Sequence, residues 1–170
     1  MRSGLHPEHR QKAGDTVCTL QRFWFRRYEC KHLFRKSIAT FADGQPRNIL
    51  VVDDDVSLTL FISRVLTSEG HRVLTAPNNI KVKIMLQTEH IDMAICDLVL
   101  PGHDGSDIIK TLKEHDPSTY CILISGYYNE SFNNYKVLVG ADEVIPKPIT
   151  KEMLQELLGK CLLFRQQGKA

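Results

Sequence analysis

The segment Ile49-Leu50-Val51-Val52-Asp53-Asp54-Asp55 decides the fold of this chain. A short run that is apolar at every position and rich in β-branched residues suits a central strand of a parallel sheet, buried on both faces. The run stops abruptly at three aspartates, so the strand delivers acidic groups to its own carboxyl end.

Outward from this strand the chain alternates short apolar runs with amphipathic segments. Leu58, Phe61, Ile62, Val65 and Leu66 fall on one helical face, and Gly70 stands where that helix should end. A strand near 71–76 and a helix near 79–88 follow, then Met93-Ala94-Ile95-Cys96 as a strand running into Asp97 and a Pro-Gly loop. Ile108, Ile109 and Leu112 mark a helix near 105–114, and Cys121-Ile122-Leu123-Ile124 a strand running into Ser125-Gly126. After a weakly patterned helix, a fifth strand ends at Val144-Ile145. Met153, Leu154, Leu157, Leu158, Cys161 and Leu162 outline a last amphipathic helix. Five strands alternating with five helices predict right-handed crossovers and an α/β doubly wound parallel sheet with helices on both faces.

Such sheets place their sites just beyond the carboxyl ends of the strands. Those positions hold Asp53, Asp54 and Asp55 after the first strand, Asp97 after the third, Ser125 after the fourth and Lys147-Pro148 after the fifth. Clustered carboxylates repel one another, and the group is tolerable if a cation sits among them or some protons stay on. Hard oxygen ligands with room for water suit magnesium, which leaves positions for phosphate oxygens. A hydroxyl and an ammonium opposite the metal complete a set that positions and neutralises a phosphoryl group, with a carboxylate as nucleophile.

Residues 48–164 resemble the receiver domains of two-component response regulators. Residues 49–55 look like the family's first strand and acidic pair. The segment Asp97-Leu98-Val99-Leu100-Pro101-Gly102-His103-Asp104-Gly105 looks like its phosphorylation loop. The resemblance implies a flavodoxin-like fold of strand order 2-1-3-4-5. It makes Asp97 the phosphoacceptor, with Asp53 (largely through water), Asp54, Asp97 and the Val99 carbonyl around Mg2+, and Ser125, Gly126 and Lys147 around the phosphate. It also implies a Lys147-Pro148 peptide bond that is cis, a geometry accessible because proline follows. The implied donor is a histidine kinase or a histidine phosphotransfer protein, with acyl phosphates as the only small-molecule donors, and the output is a downstream protein target. Transfer onto the chain's own carboxylate is not turnover on a separate substrate, so the expectation is a phosphoprotein and not an enzyme.

One position departs from the family. Three residues before Lys147, where Tyr or Phe is usual, stands Val144, the switch position. Valine has no ring to swing and is stiff at χ1, so the usual aromatic coupling to Ser125 cannot operate. The alternative reading is accordingly a receiver-fold interaction module that works without phosphorylation. Tyr127 and Tyr128 could supply another moving ring or cap the pocket mouth. Asp55 reads as a helix N-cap, Asp104 and Asp107 as a solvated helix start, and His103 as a loop histidine.

Composition limits the other possibilities. With 42% hydrophobic and 25% charged residues, the chain has the balance of a soluble globular protein. Its 170 residues suit one domain with a short appendage. No stretch approaches the roughly 18 apolar residues of a membrane span, and Phe23-Trp24-Phe25 is far too short for a signal-peptide core. The five cysteines are odd in number and lack a CxxC pair, which fits a reducing cytoplasm. Cys96, Cys121 and Cys161 read as small buried hydrophobes.

The net charge of +2 combines unlike parts: residues 1–47 carry ten Lys or Arg against four Asp or Glu, so +6, and the remainder carries twelve against sixteen, so −4. Residues 1–47 form a basic extension, flexible or partly helical, in which Arg22, Arg26, Arg27, Lys31, Arg35 and Lys36 interleave with aromatic residues. A basic amphipathic helix there could meet an anionic membrane, nucleic acid or a partner. The acidic body disfavours nucleic acid. Residues 165–170 read as a tail. The 23 residues after Lys147 give room for a final helix and no output domain, so the expectation is a stand-alone regulator.

Overall fold

The structure is a computed structural model that describes residues 45–126, 137 and 139–167. The basic extension up to residue 44, Tyr127, Tyr128 and most of the weakly patterned fourth helix lie outside the described residues. Five parallel strands, β1 (Asn48–Val52), β2 (Arg72–Ala76), β3 (Met93–Asp97), β4 (Tyr120–Ser125) and β5 (Glu143–Pro146), form one sheet in the order β2-β1-β3-β4-β5. Four described helices, α1 (Val56–Ser68), α2 (Asn79–Met85), α3 (Gly105–His115) and α4 (Lys151–Gln167), connect or follow them. A two-residue antiparallel ribbon, Val99–Leu100 against His103–Asp104, was not foreseen, because so short a pairing leaves no periodic trace.

Strand alternation sorts the core into two layers. Leu50, Val52, Ala94, Cys96, Cys121, Leu123 and Val144 face α2 and α3, packing with Val82, Ile108, Ile109 and Leu112. Ile49, Val51, Met93, Ile95, Ile122, Ile124 and Ile145 are buried too and alternate with the first set, so they face the other layer. There α1 packs on α4, contributing Ile62 and Leu66 from one helix and Leu154, Leu157, Leu158 and Cys161 from the other. Phe61, expected on the buried stripe, lies at the edge of the α1 face and is 39% exposed. The three described cysteines are buried and free, as read from the sequence. Burial pushes Cys121 up to about 12 and Cys161 up to about 11, so both stay protonated thiols at neutral pH.

Helix boundaries follow local chemistry. The Asp55 carboxylate accepts from the backbone N–H groups of Ser57 and Leu58, capping α1 as its sequence position suggested. At the other end Gly70 adopts φ +89°; its N–H donates to the Thr67 carbonyl, and that of His71 to the Leu66 carbonyl. This pair of bonds is the Schellman closure, which needs a left-handed residue that glycine adopts without strain. The last helix runs to Gln167, so residues 165–167, expected in the tail, are helical. Arg165 forms an ion pair with Asp92, and the Phe164 ring packs 5.3 Å from that of Tyr120, which together secure this final turn.

The turn after α1 also carries a pH dependence. His71 is buried and its Nδ1 accepts the Arg47 backbone N–H at 3.2 Å, which requires that nitrogen to be unprotonated. Burial, assisted by the Arg47 charge, holds the imidazole below its usual 6.5. A base whose folded pKa is depressed contributes stability above its unfolded pKa and loses it as pH falls through the lower folded value. Urea unfolding of His71→Gln, whose amide oxygen can accept the same N–H without titrating, should therefore lose less stability than wild type as pH drops below about 6.5. Parallel pH profiles would assign the acid sensitivity elsewhere.

Candidate functional site

The carboxyl edge of the sheet gathers the residues singled out in the sequence from four strands. Asp53 leaves β1 on the same sheet face as Val51, and Asp97 ends β3 on the same face as Ile95. Both are buried, whereas Asp54 is exposed. One carboxylate oxygen from each of Asp53, Asp54 and Asp97 lies within 4.8 Å of the others. Lys147 follows β5, and its Nζ donates to Asp53 Oδ2 at 3.0 Å and to Asp97 Oδ2 at 2.7 Å. The peptide bond from Lys147 to Pro148 is cis, and the Lys147 N–H donates to the Ser125 carbonyl at 2.8 Å, tying β5 to the end of β4.

The remaining predicted residues take distinct places. Ser125 is 1% exposed at the end of β4, in register with Pro146. Gly126 is exposed, and a Cβ there would meet no described atom within 4 Å. Val99, 62% exposed, donates its N–H to Asp97 Oδ1 at 3.3 Å and pairs with Asp104 in the short ribbon. Val144 is buried opposite Leu123 and belongs to the same core cluster as Cys121 and Ala141. Asp104 caps α3 by accepting from Ser106, and Asp107 forms an exposed pair with Lys110, the bland roles read for them in the sequence.

The electrostatics are those of a crowded acidic edge. Burial pushes the Asp53 carboxyl above its ordinary range, against the lowering effects of the Asp55 N–H and of Lys147. Lys147 is itself penalised by burial, but its hydrogen bonds to Asp97 and Asp53 outweigh this and raise it, so it remains an ammonium. Three carboxylates and one ammonium leave a formal charge of −2, which a divalent cation would balance. The donors are all hard oxygens, and exposed Asp54 leaves a side open to water, as Mg2+ or Ca2+ requires.

In the sequence Gly105 stands simply as the last residue of the loop that follows Asp97. It is buried, with its α-carbon packed directly on the backbone of Asp97. An Asp-Gly pair opening a helix was the visible signal, but such pairs ordinarily mark turns, and the close approach is a tertiary fact.

Fold and site together define an α/β domain with an acidic cluster at the carboxyl edge of a parallel sheet. Residues 49–159 match the response regulator receiver domain family, and the chain belongs to it. Over 119 residues it is 28% identical to the transcriptional regulatory protein ZraR of Klebsiella oxytoca, a match covering 70% of this chain and 27% of that protein. It is similar in structure to a CheY-like response regulator receiver domain protein from Methanospirillum hungatei JF-1, at 25% identity and TM-score 0.67, covering 74% of this chain and 100% of that one. A response regulator from Burkholderia pseudomallei, solved with a phosphorylated aspartic acid, calcium ion and citrate, is 25% identical with TM-score 0.62, covering 73% of each chain. The chain is thus a response regulator receiver domain of the two-component type.

Removing the shared ammonium tests the charge argument. Lys147→Met should destabilise the domain by about 1–3 kcal/mol, less than a fully buried pair because Lys147 is partly exposed. A divalent cation should recover part of that loss, since it supplies positive charge to the same carboxylates. Urea unfolding with and without the cation measures both effects, and equal stability of variant and wild type would mean that Lys147 does not balance Asp53 and Asp97.

Proposed function

We propose that this receiver domain accepts a phosphoryl group on Asp97 from a phosphohistidine of a histidine kinase or histidine phosphotransfer protein, with Mg2+, and signals through contacts with a downstream protein. The observation that carries this reading is the shared ammonium: Lys147 Nζ stands 2.7 Å from Asp97 and 3.0 Å from Asp53, beside a third carboxylate. The phosphorylated aspartic acid and calcium ion of the similar Burkholderia protein support it.

In the step proposed, a carboxylate oxygen of Asp97 bonds to phosphorus while the bond from phosphorus to the donor nitrogen breaks, its electron pair leaving with the imidazole. Asp53, Asp54, Asp97 and the Val99 carbonyl would hold the magnesium ion, with Asp53 acting largely through water. When bound, that ion supplies charge neutralisation for the phosphoryl oxygens and the carboxylates. Lys147 holds the Asp97 carboxylate by its hydrogen bond and exchanges its contact with Asp53 for a phosphoryl oxygen, and the Ser125 hydroxyl and Gly126 N–H donate to the others. Burial of Asp97 limits water at the acceptor. Because the nucleophile is consumed and regenerated on the same chain, the domain is a self-modifying switch and not an enzyme with a separate substrate. The reading places the protein in the cytoplasm with its kinase.

Val144 favours one other reading. A buried valine at the switch position leaves no ring to link Ser125 with β5, as expected of a module that binds its partner without phosphorylation. Intact-protein mass after incubation with acetyl phosphate and magnesium separates the two. The expected result is one phosphoryl addition in wild type and none in Asp97→Ala or without the metal. A folded wild type that gains nothing would leave the constitutive module.

A further inference from the structure

Gly105 occupies the tightest place among the described glycines. A Cβ there would lie 2.0 Å from the Asp97 carbonyl oxygen, 2.9 Å from its carbonyl carbon and 3.0 Å from Leu98 Cα. A carbon and an oxygen that are not bonded need roughly 3.3 Å, so even a methyl group would force a displacement of more than about 1 Å. All three obstacles are backbone atoms, so no side-chain rotation relieves the overlap.

Neither partner can yield freely. Asp97 is the last residue of β3, in register with Ile124, and the next N–H, of Leu98, donates to the Ile124 carbonyl at 2.9 Å. Helix α3 is anchored by Ile108, Ile109 and Leu112, all fully buried, and its first turn is fixed by the Asp104 cap and by the Gly105 N–H donating to the Leu98 carbonyl at 2.8 Å. Local propensity favours alanine over glycine at a helical position, so the glycine answers a tertiary demand.

We propose that Gly105 is a positioning residue for phosphoryl transfer: its missing Cβ lets the first turn of α3 seat on the main chain of Asp97. That contact sets where the acceptor carboxylate stands relative to Asp53 and Lys147. The inference rests on the reading of Asp97 as acceptor. A misplacement of about 1 Å costs an oriented reaction about a hundredfold in rate, and that is the effect expected of Gly105→Ala.

The test uses the full-length chain. Rates of labelling by acetyl phosphate with magnesium are measured per folded molecule, together with the carboxyl carbon resonance of Asp97 and its response to magnesium. Leu112→Ala serves as the comparison, because it loosens the same helix without touching Asp97. Gly105→Ala should label about a hundredfold more slowly and show an altered Asp97 resonance, while Leu112→Ala keeps the wild-type resonance and a rate within a few-fold of wild type. If Gly105→Ala does not fold, Asp104→Ala, which releases the first turn of α3, should slow labelling and shift the Asp97 resonance. A normal rate and resonance in that variant would overturn the proposal. So would wild-type labelling by Gly105→Ala, or equal slowing by Leu112→Ala, with the acceptor reading left intact. A wild type that takes no phosphoryl group would remove the acceptor reading and this proposal together.

Discussion

One ammonium shared by two carboxylates organises this domain. Lys147 reaches Asp53 and Asp97, residues 94 and 50 positions away in the chain, and each of the three stands at or just past the end of a different strand. A buried pair of carboxylates is unfavourable unless opposite charge lies close. The geometry that brings that charge in requires β1, β3 and β5 to end level with one another, and β4 to lie between the last two. The alignment of the sheet is therefore what makes the acidic edge possible. The two apolar layers and their helices maintain it.

The strand that carries Lys147 lies at the edge of the sheet and is held from both sides. On one face Lys113 of α3 donates to Asp142 at 2.6 Å and to the Thr119 carbonyl at 2.8 Å. On the other, Lys160 of α4 donates to Glu143 at 3.0 Å and also pairs with Glu156. Burial works against the Lys160 charge, yet the two glutamates outweigh it and keep the ammonium protonated. Between these clamps and Lys147 sits Val144, packed against the core. Position and charge of Lys147 thus depend on a strand whose start is fixed by ion pairs and whose middle is fixed by an aliphatic side chain. This arrangement leaves little room for movement within β5 itself.

Much of this was legible beforehand because the fold repeats one simple pattern. Uninterrupted apolar runs marked the buried strands within a residue or two. Asp55 and Gly70 marked the ends of α1 through chemistry that acts over three or four residues. What escaped was whatever depends on contact between distant segments. Phe61 fits the helical stripe yet lies at its margin, because the width of the buried face is set by where α4 packs. The last turn of α4 extends past the expected domain end because Arg165 finds Asp92, a partner that no periodicity could indicate.

The sequence by itself determined the alternation of strand and helix, the delivery of acidic residues to strand ends and the family, since these follow from local periodicity and from residue types at fixed order. Only the tertiary structure decided that Lys147 bridges Asp53 and Asp97, that His71 accepts the Arg47 N–H, and that α3 rests on the backbone of Asp97 at Gly105. These are distances between atoms far apart in the chain. They arise when the two layers close on the sheet, and packing at interior density fixes them to within a fraction of an ångström.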